Sequence, residues 1–165
     1  MPAPKILVIF YSRSGTTRRI ALALLAALGG SVEEIAEDRG RNGFLGYCRS
    51  VFEARRKRSA TILPAKTDPR SFDLVVIGTP VWAWSVSSPV RAYLTANKDR
   101  LPAVAFFCTF GGAGSETAFA QMQDIVGKAP RATCAITARD IAAGGDGAQL
   151  ADFARALRTP VASAA

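Results

Sequence analysis

The segment Ser12-Arg13-Ser14-Gly15-Thr16-Thr17 gathers four hydroxyls, a cation and a glycine into six residues. Glycine lets backbone approach an anion closely, and exposed N–H groups at a helix start favour negative charge. Hydroxyls add donors, so the segment reads as a phosphate nest. The same residue types are also good caps and turn formers, a purely structural use. Neither GxxxxGK[ST] nor GxGxxG is present, so the usual signatures of ATP, GTP and NAD sites are missing. A second segment, Gly78-Thr79-Pro80-Val81-Trp82-Ala83-Trp84, holds both tryptophans of the chain. An indole offers a flat face to a planar ligand, its structural alternative being to close the core or a subunit contact. A third, Thr109-Phe110-Gly111-Gly112-Ala113-Gly114, is glycine-rich and can bring backbone donors against a ring edge.

Side chains alone are poorly equipped for catalysis. The chain has no histidine, which removes the commonest general base and transition-metal ligand. Cys48, Cys108 and Cys134 are odd in number and far apart, which fits neither a disulfide framework nor a CxxC pair. We read them as reduced, mostly buried thiols. Asp68, Asp73 and Glu116 show no paired spacing for a hydrolase or phosphatase. No catalytic side chain and no metal site are assigned.

The three segments need a scaffold that brings them together. Lys5 to Tyr11 is an apolar run without alternation, the pattern of a strand buried on both faces of a parallel sheet. Phe72 to Ile77, Val104 to Cys108 and Ala132 to Thr137 repeat it, and Val32 to Ile35 reads as a short acidic edge strand. Between them lie helical patterns: Thr16 to Leu28, with Ile20, Leu24 and Leu28 at spacings of four, and Gly43 to Lys57, a basic amphipathic stretch. Pro89 to Ala96, the segment carrying Ala118, Met122 and Val126, and a last helix capped by Asp146 complete the set. Thr61 to Arg70 and Gly78 to Ser88 read as connections. Five strands alternating with five helices predict a doubly wound α/β fold with a parallel sheet covered on both faces. In such sheets ligands bind beyond the carboxyl ends of the strands, which is where all three segments fall.

With 165 residues, 49% apolar and 21% charged, the chain fits one globular domain over 1–165, its end from 159 a loose tail. No apolar run approaches the ~20 residues of a membrane span. The start lacks the pattern of a secretory signal, so a cytoplasmic protein is expected. The net charge is +8, and from Arg39 to Arg58 seven basic residues face one acid, a local +6. That stretch suits an acidic partner, an anionic surface or nucleic acid, or simply a solvated face. Nucleic acid is disfavoured, because no reading helix or RNA motif accompanies it.

Taken together and in order, the three loops resemble those of the flavodoxin family, and the resemblance spans nearly the whole chain. Ile9-Phe10-Tyr11-Ser12-Arg13-Ser14-Gly15-Thr16-Thr17 is similar to the family's phosphate loop, Thr/Ser-x-Thr/Ser-Gly-x-Thr. Ile77-Gly78-Thr79-Pro80-Val81-Trp82 resembles its second flavin loop and Cys108-Thr109-Phe110-Gly111-Gly112 its third. The chain lacks the insertion that splits the last strand in longer members, like the family's short-chain branch. The resemblance implies a three-layer, five-stranded parallel sheet in the order 2-1-3-4-5 and FMN as cofactor. Ser12, Ser14, Gly15, Thr16 and Thr17, with Arg13 beside them, would hold the phosphate. Thr79, Pro80, Val81, Trp82, Ala83 and Trp84 would border the isoalloxazine, with Trp82 expected to make the main ring contact. Thr109, Phe110, Gly111 and Gly112 would face its pyrimidine edge and other side.

The function implied is electron transfer or a small FMN-dependent oxidoreductase, an NAD(P)H-dependent quinone or flavin reductase being one alternative. The other is a non-catalytic binding module using the basic helix 43–58. Two features depart from the family's electron carriers. These are usually acidic, whereas this chain is basic, so a protein partner should be acidic; a small-molecule acceptor is the other possibility. They also often place a glycine beside flavin N5, and Val81 to Ser85 contains none, which adds weight to two-electron chemistry. Positive charge from Arg13 and the basic stretch should stabilise an anionic reduced flavin.

Overall fold

Strand β1 (Ile6–Phe10) is buried at every residue and divides its side chains between two cores. Leu7 and Ile9 enter one cluster while Ile6, Val8 and Phe10 enter the other. That is why the run shows no alternation: both faces of the sheet are covered. The computed structural model describes residues 2–38 and 60–159; the basic helix expected over 43–58, Cys48 with it, and the tail from 160 lie outside the described residues.

The elements follow as α1 (Thr16–Leu28), β2 (Ser31–Glu34), β3 (Leu74–Trp82), β4 (Ser85–Val86) and α2 (Ser88–Asn97). After these come β5 (Ala103–Phe110), α3 (Ser115–Val126), β6 (Thr133–Thr137), α4 (Ala138–Ala143) and α5 (Asp146–Arg158). Five strands form a parallel sheet in the order β2-β1-β3-β5-β6, with the short β4 antiparallel to β3. Counting the parallel strands alone, this is the expected order 2-1-3-4-5. On one face Ile20, Ala21 and Leu24 of α1 and Leu150, Phe153 and Leu157 of α5 pack on Val8, Val76 and Phe107. On the other, Val90, Tyr93 and Leu94 of α2 and Met122 and Val126 of α3 pack on Ile9, Ile77 and Phe106. Each such aliphatic side chain contributes about 1.5–3 kcal/mol on full burial.

Three local expectations change. The stretch from Gly78 is no open connection: β3 runs on to Trp82, with Thr79 paired to Cys108 and Pro80 to Thr109, and then doubles back through β4. Asp146 does not cap α5; Gly145 holds that position, and Asp146, buried, instead accepts from Arg19 Nη2 at 3.4 Å, tying α5 to α1. An additional short helix, α4, starts where the Thr137 hydroxyl accepts from the Asp140 N–H at 3.0 Å. Cys108 and Cys134 are buried and free, and burial pushes their thiols up to about 12 and about 11, so both stay protonated at neutral pH. Among the described residues no helix is long and apolar enough to cross a membrane.

Candidate functional site

Register fixes where the three loops emerge. Glu34, Phe10, Gly78, Phe107 and Cys134 form one row across the sheet. The chain therefore leaves β1 at Tyr11 level with Thr79 of β3 and Cys108 of β5. Connections from β1 go to one side of the sheet and those from β3 to the other, so the strand order reverses between these two strands, and in open α/β sheets ligands bind beyond the carboxyl ends at such a point.

In the first loop the Ser12 hydroxyl accepts from the Gly15 N–H at 3.0 Å, closing a tight turn. Gly15 then takes φ 94° as the N-cap of α1, and no side chain caps the helix. The first intrahelical bond runs from Arg19 N–H to Gly15 C=O at 3.0 Å. The N–H groups of Thr16, Thr17 and Arg18 thus precede the ladder and point out of the helix end, an anion-binding arrangement. Ser14 is exposed and Thr16 half-buried, their hydroxyls 3.4 Å apart, with Arg13 half-buried alongside. Arg18 turns away, its guanidinium forked on Glu34 at 2.6 and 2.9 Å. The hydroxyls of the loop thus divide: Ser12 and Thr17 are buried and spent on structure, Ser14 and Thr16 face outward. The Thr17 hydroxyl pairs with that of Thr109 at 2.8 Å, so a buried hydrogen bond locks the first loop to the third.

The hairpin after β3 is less relaxed. Trp82 pairs with Ser85, leaving a two-residue turn of Ala83 at φ 47° and Trp84 at φ 59°. Both lie in the left-handed region, as in the type I′ turns that favour Asn-Gly. For alanine and tryptophan the conformation costs roughly 1–2 kcal/mol each. The turn separates the two indoles. Trp82 is only 9% exposed and meets the Tyr11 ring edge-on, centroids 5.6 Å apart, within the core cluster. Trp84 is 61% exposed. The broad accessible face therefore belongs to Trp84, although the sequence favours Trp82 for the ring contact. Buried Thr79 is occupied internally, its hydroxyl accepting from Ser87 N–H at 3.1 Å and lying 3.0 Å from Ser87 Oγ. Pro80, Val81 and Ala83 are half-buried beside it.

The third loop closes the group. Phe110 is half-buried, while Gly111 and Gly112 are exposed, and a Cβ on either glycine would meet nothing within 4 Å. Gly114, at φ 97°, is the N-cap of α3, and a Cβ there would lie 2.6 Å from Trp84 Cα and 2.7 Å from its Cδ1. The third loop thus backs directly onto the hairpin. Sequence reasoning missed Gln121, Arg91 and Ser85, which hold the hairpin from below. Gln121 Oε1 accepts from Ser85 Oγ at 2.7 Å, from Arg91 Nη2 at 2.9 Å and from Val86 N–H at 3.1 Å. No short motif advertises them.

Residues 5–135 match the family model described as Flavodoxin. No curated protein matches the chain. Among solved structures, a flavoprotein from Lactobacillus acidophilus NCFM in complex with FMN superposes with TM-score 0.68 at 20% identity, covering 86% of this chain and 97% of that one. The flavodoxin of Fusobacterium nucleatum bound to FMN gives 0.58 at 10% identity, covering 93% and 96%. Two-electron reduced Megasphaera elsdenii flavodoxin gives 0.57 at 19% identity, covering 93% and 99%.

Proposed function

The chain belongs to the flavodoxin family, and from that premise we propose that it is a cytoplasmic redox protein that binds FMN non-covalently in the crevice between β1 and β3. The observation that carries this reading is the convergence of an uncapped α1 N-terminus, an exposed indole and an open glycine loop at one sheet edge. When bound, FMN accepts and passes on electrons, while the protein sets its orientation, access and potential.

The residues fit that group. The outward N–H groups of Thr16, Thr17 and Arg18 and the hydroxyls of Ser14 and Thr16 suit a phosphomonoester, with Gly15 shaping the turn and Arg13 adding charge. Ser12 and the Thr17 hydroxyl shape the loop from inside. Trp84 covers the ring, and Trp82 supports the hairpin from behind. Gly111 and Gly112 leave room for the pyrimidine edge, next to Thr109 and Phe110. The hairpin also bears on the type of chemistry. No glycine lies in Val81 to Ser85, and the turn is set by two left-handed residues and by β4 pairing. Without a glycine whose peptide could flip beside the ring, two-electron reduction of a small acceptor such as a quinone is favoured over one-electron shuttling.

Purified protein should be yellow, or should become so on titration with FMN, with quenching of tryptophan emission. A colourless chain that takes up no FMN in excess ends this reading. Anaerobic photoreduction then separates its branches: passage straight to the fully reduced flavin, with bleaching by NADPH, supports a reductase, and a durable one-electron form supports a carrier.

A further inference from the structure

We propose that Gln121 and Arg91 are positioning residues that hold the strained hairpin in the form that presents Trp84 to the flavin. The inference rests on Trp84 being the ring contact. A turn built from Ala83 and Trp84 in left-handed conformations does not hold itself; such strain persists only where surrounding structure over-determines it. The surroundings here are specific. Arg91 of α2 and Gln121 of α3 reach β4 from two different helices and close a ring of hydrogen bonds on it. Gln121 Oε1 gathers three donors, and Arg91 Nη2 also donates to Ser85 Oγ at 3.2 Å. Ser85 is 3% exposed, so these bonds form away from competing water.

Arg91 strengthens the argument by what it lacks. Among the described residues its half-buried guanidinium makes no ion pair with a carboxylate and its buried Nε meets no hydrogen-bond partner. Desolvation lowers its pKa. A cation in that setting is costly for stability alone. Among the described residues its side-chain hydrogen bonds go to Ser85 and Gln121, which ties it to β4 and points to positioning of the hairpin.

The test compares Gln121→Met, which keeps size but removes the acceptor, with Gln121→Glu, which retains it and pairs with Arg91. Affinities are measured for FMN and for riboflavin, which lacks the phosphate, and iodide quenching of tryptophan emission is measured on the flavin-free chain. Gln121→Met should weaken both flavins about tenfold, leaving their ratio unchanged because only the ring side is disturbed, and should alter iodide quenching. Gln121→Glu should restore wild-type values. A folded Gln121→Met whose affinities stay within about twofold and whose quenching is unchanged overturns the proposal. Arg91→Met is read the same way should Gln121→Met fail to fold. Wild-type chain that binds neither flavin ends the FMN reading instead, while iodide quenching still reports on the clamp.

Discussion

The loop after β1 and the hairpin after β3 stand side by side at one sheet edge, yet they reach their shapes by opposite routes. In the first, the one left-handed residue is Gly15, which adopts φ 94° without a steric penalty, and Ser12 closes the turn from three residues away. In the second, the left-handed positions fall on Ala83 and Trp84, and the bonds that hold them come from Arg91 and Gln121 on other helices. An anion site can be assembled locally because backbone N–H groups and hydroxyls are everywhere available. A site that must stand a large aromatic face in solvent needs support from distant parts of the chain.

The largest expected effect breaks the local half. Thr16→Glu places a carboxylate at the α1 N-terminus, where the phosphate is proposed to lie. At a separation of ~4 Å and an effective dielectric of ~20, the repulsion is about 4 kcal/mol, so FMN affinity should fall by at least about a hundredfold. Arg13→Glu should act in the same direction. Circular dichroism should stay native, since Thr16 is not a core residue. Unchanged FMN affinity in both variants removes the phosphate site.

Next in size is a variant aimed at the seam between hairpin and third loop. Gly114→Ala introduces a side chain at φ 97° and a Cβ 2.6 Å from Trp84 Cα, a backbone atom that cannot swing aside. The left-handed conformation alone costs roughly 1–2 kcal/mol, and relief of the clash must move the turn. The melting temperature should drop by roughly 4 °C or more, with weaker riboflavin binding as a second readout. A melt indistinguishable from wild type would mean that hairpin and third loop are not in contact in solution.

This contrast also explains what could be read in advance. The alternation of strands and helices and the covering of both sheet faces follow from apolar runs and spacings, because a strand buried on both sides announces itself along its own length; the order of the strands comes from the resemblance to the flavodoxin family. The phosphate loop is legible for the same reason: its hydroxyls, glycine and helix start are contiguous. The hairpin is not. Ala83-Trp84 carries no turn signal, so the stretch reads as an open connection. Two tryptophans two apart would share a face in a continued strand, and only the turn sends Trp82 inward and Trp84 outward. Gln121 and Arg91 are ordinary polar residues on helices, and their convergence on Ser85 is a property of the packed structure, with no counterpart in local spacing. The short helix α4 escapes notice as well, being six residues held by one Thr137 cap.

The smallest effect carries the finest discrimination, because its sign should differ between the two regions. Asparagine tolerates the left-handed region better than alanine and is favoured at the first position of a type I′ turn. Ala83→Asn should therefore stabilise the protein by about 0.5–1 kcal/mol and raise the melting temperature by roughly 2 °C, with flavin affinity held within about twofold. Gly15→Asn should do the reverse, since glycine already adopts φ 94° at no steric cost and a side chain there gains nothing. Two substitutions to the same residue, in loops that follow adjacent strands, would then move stability in opposite directions. A destabilised Ala83→Asn would show that the turn stores no strain, and with that result the need for a clamp on β4 would disappear.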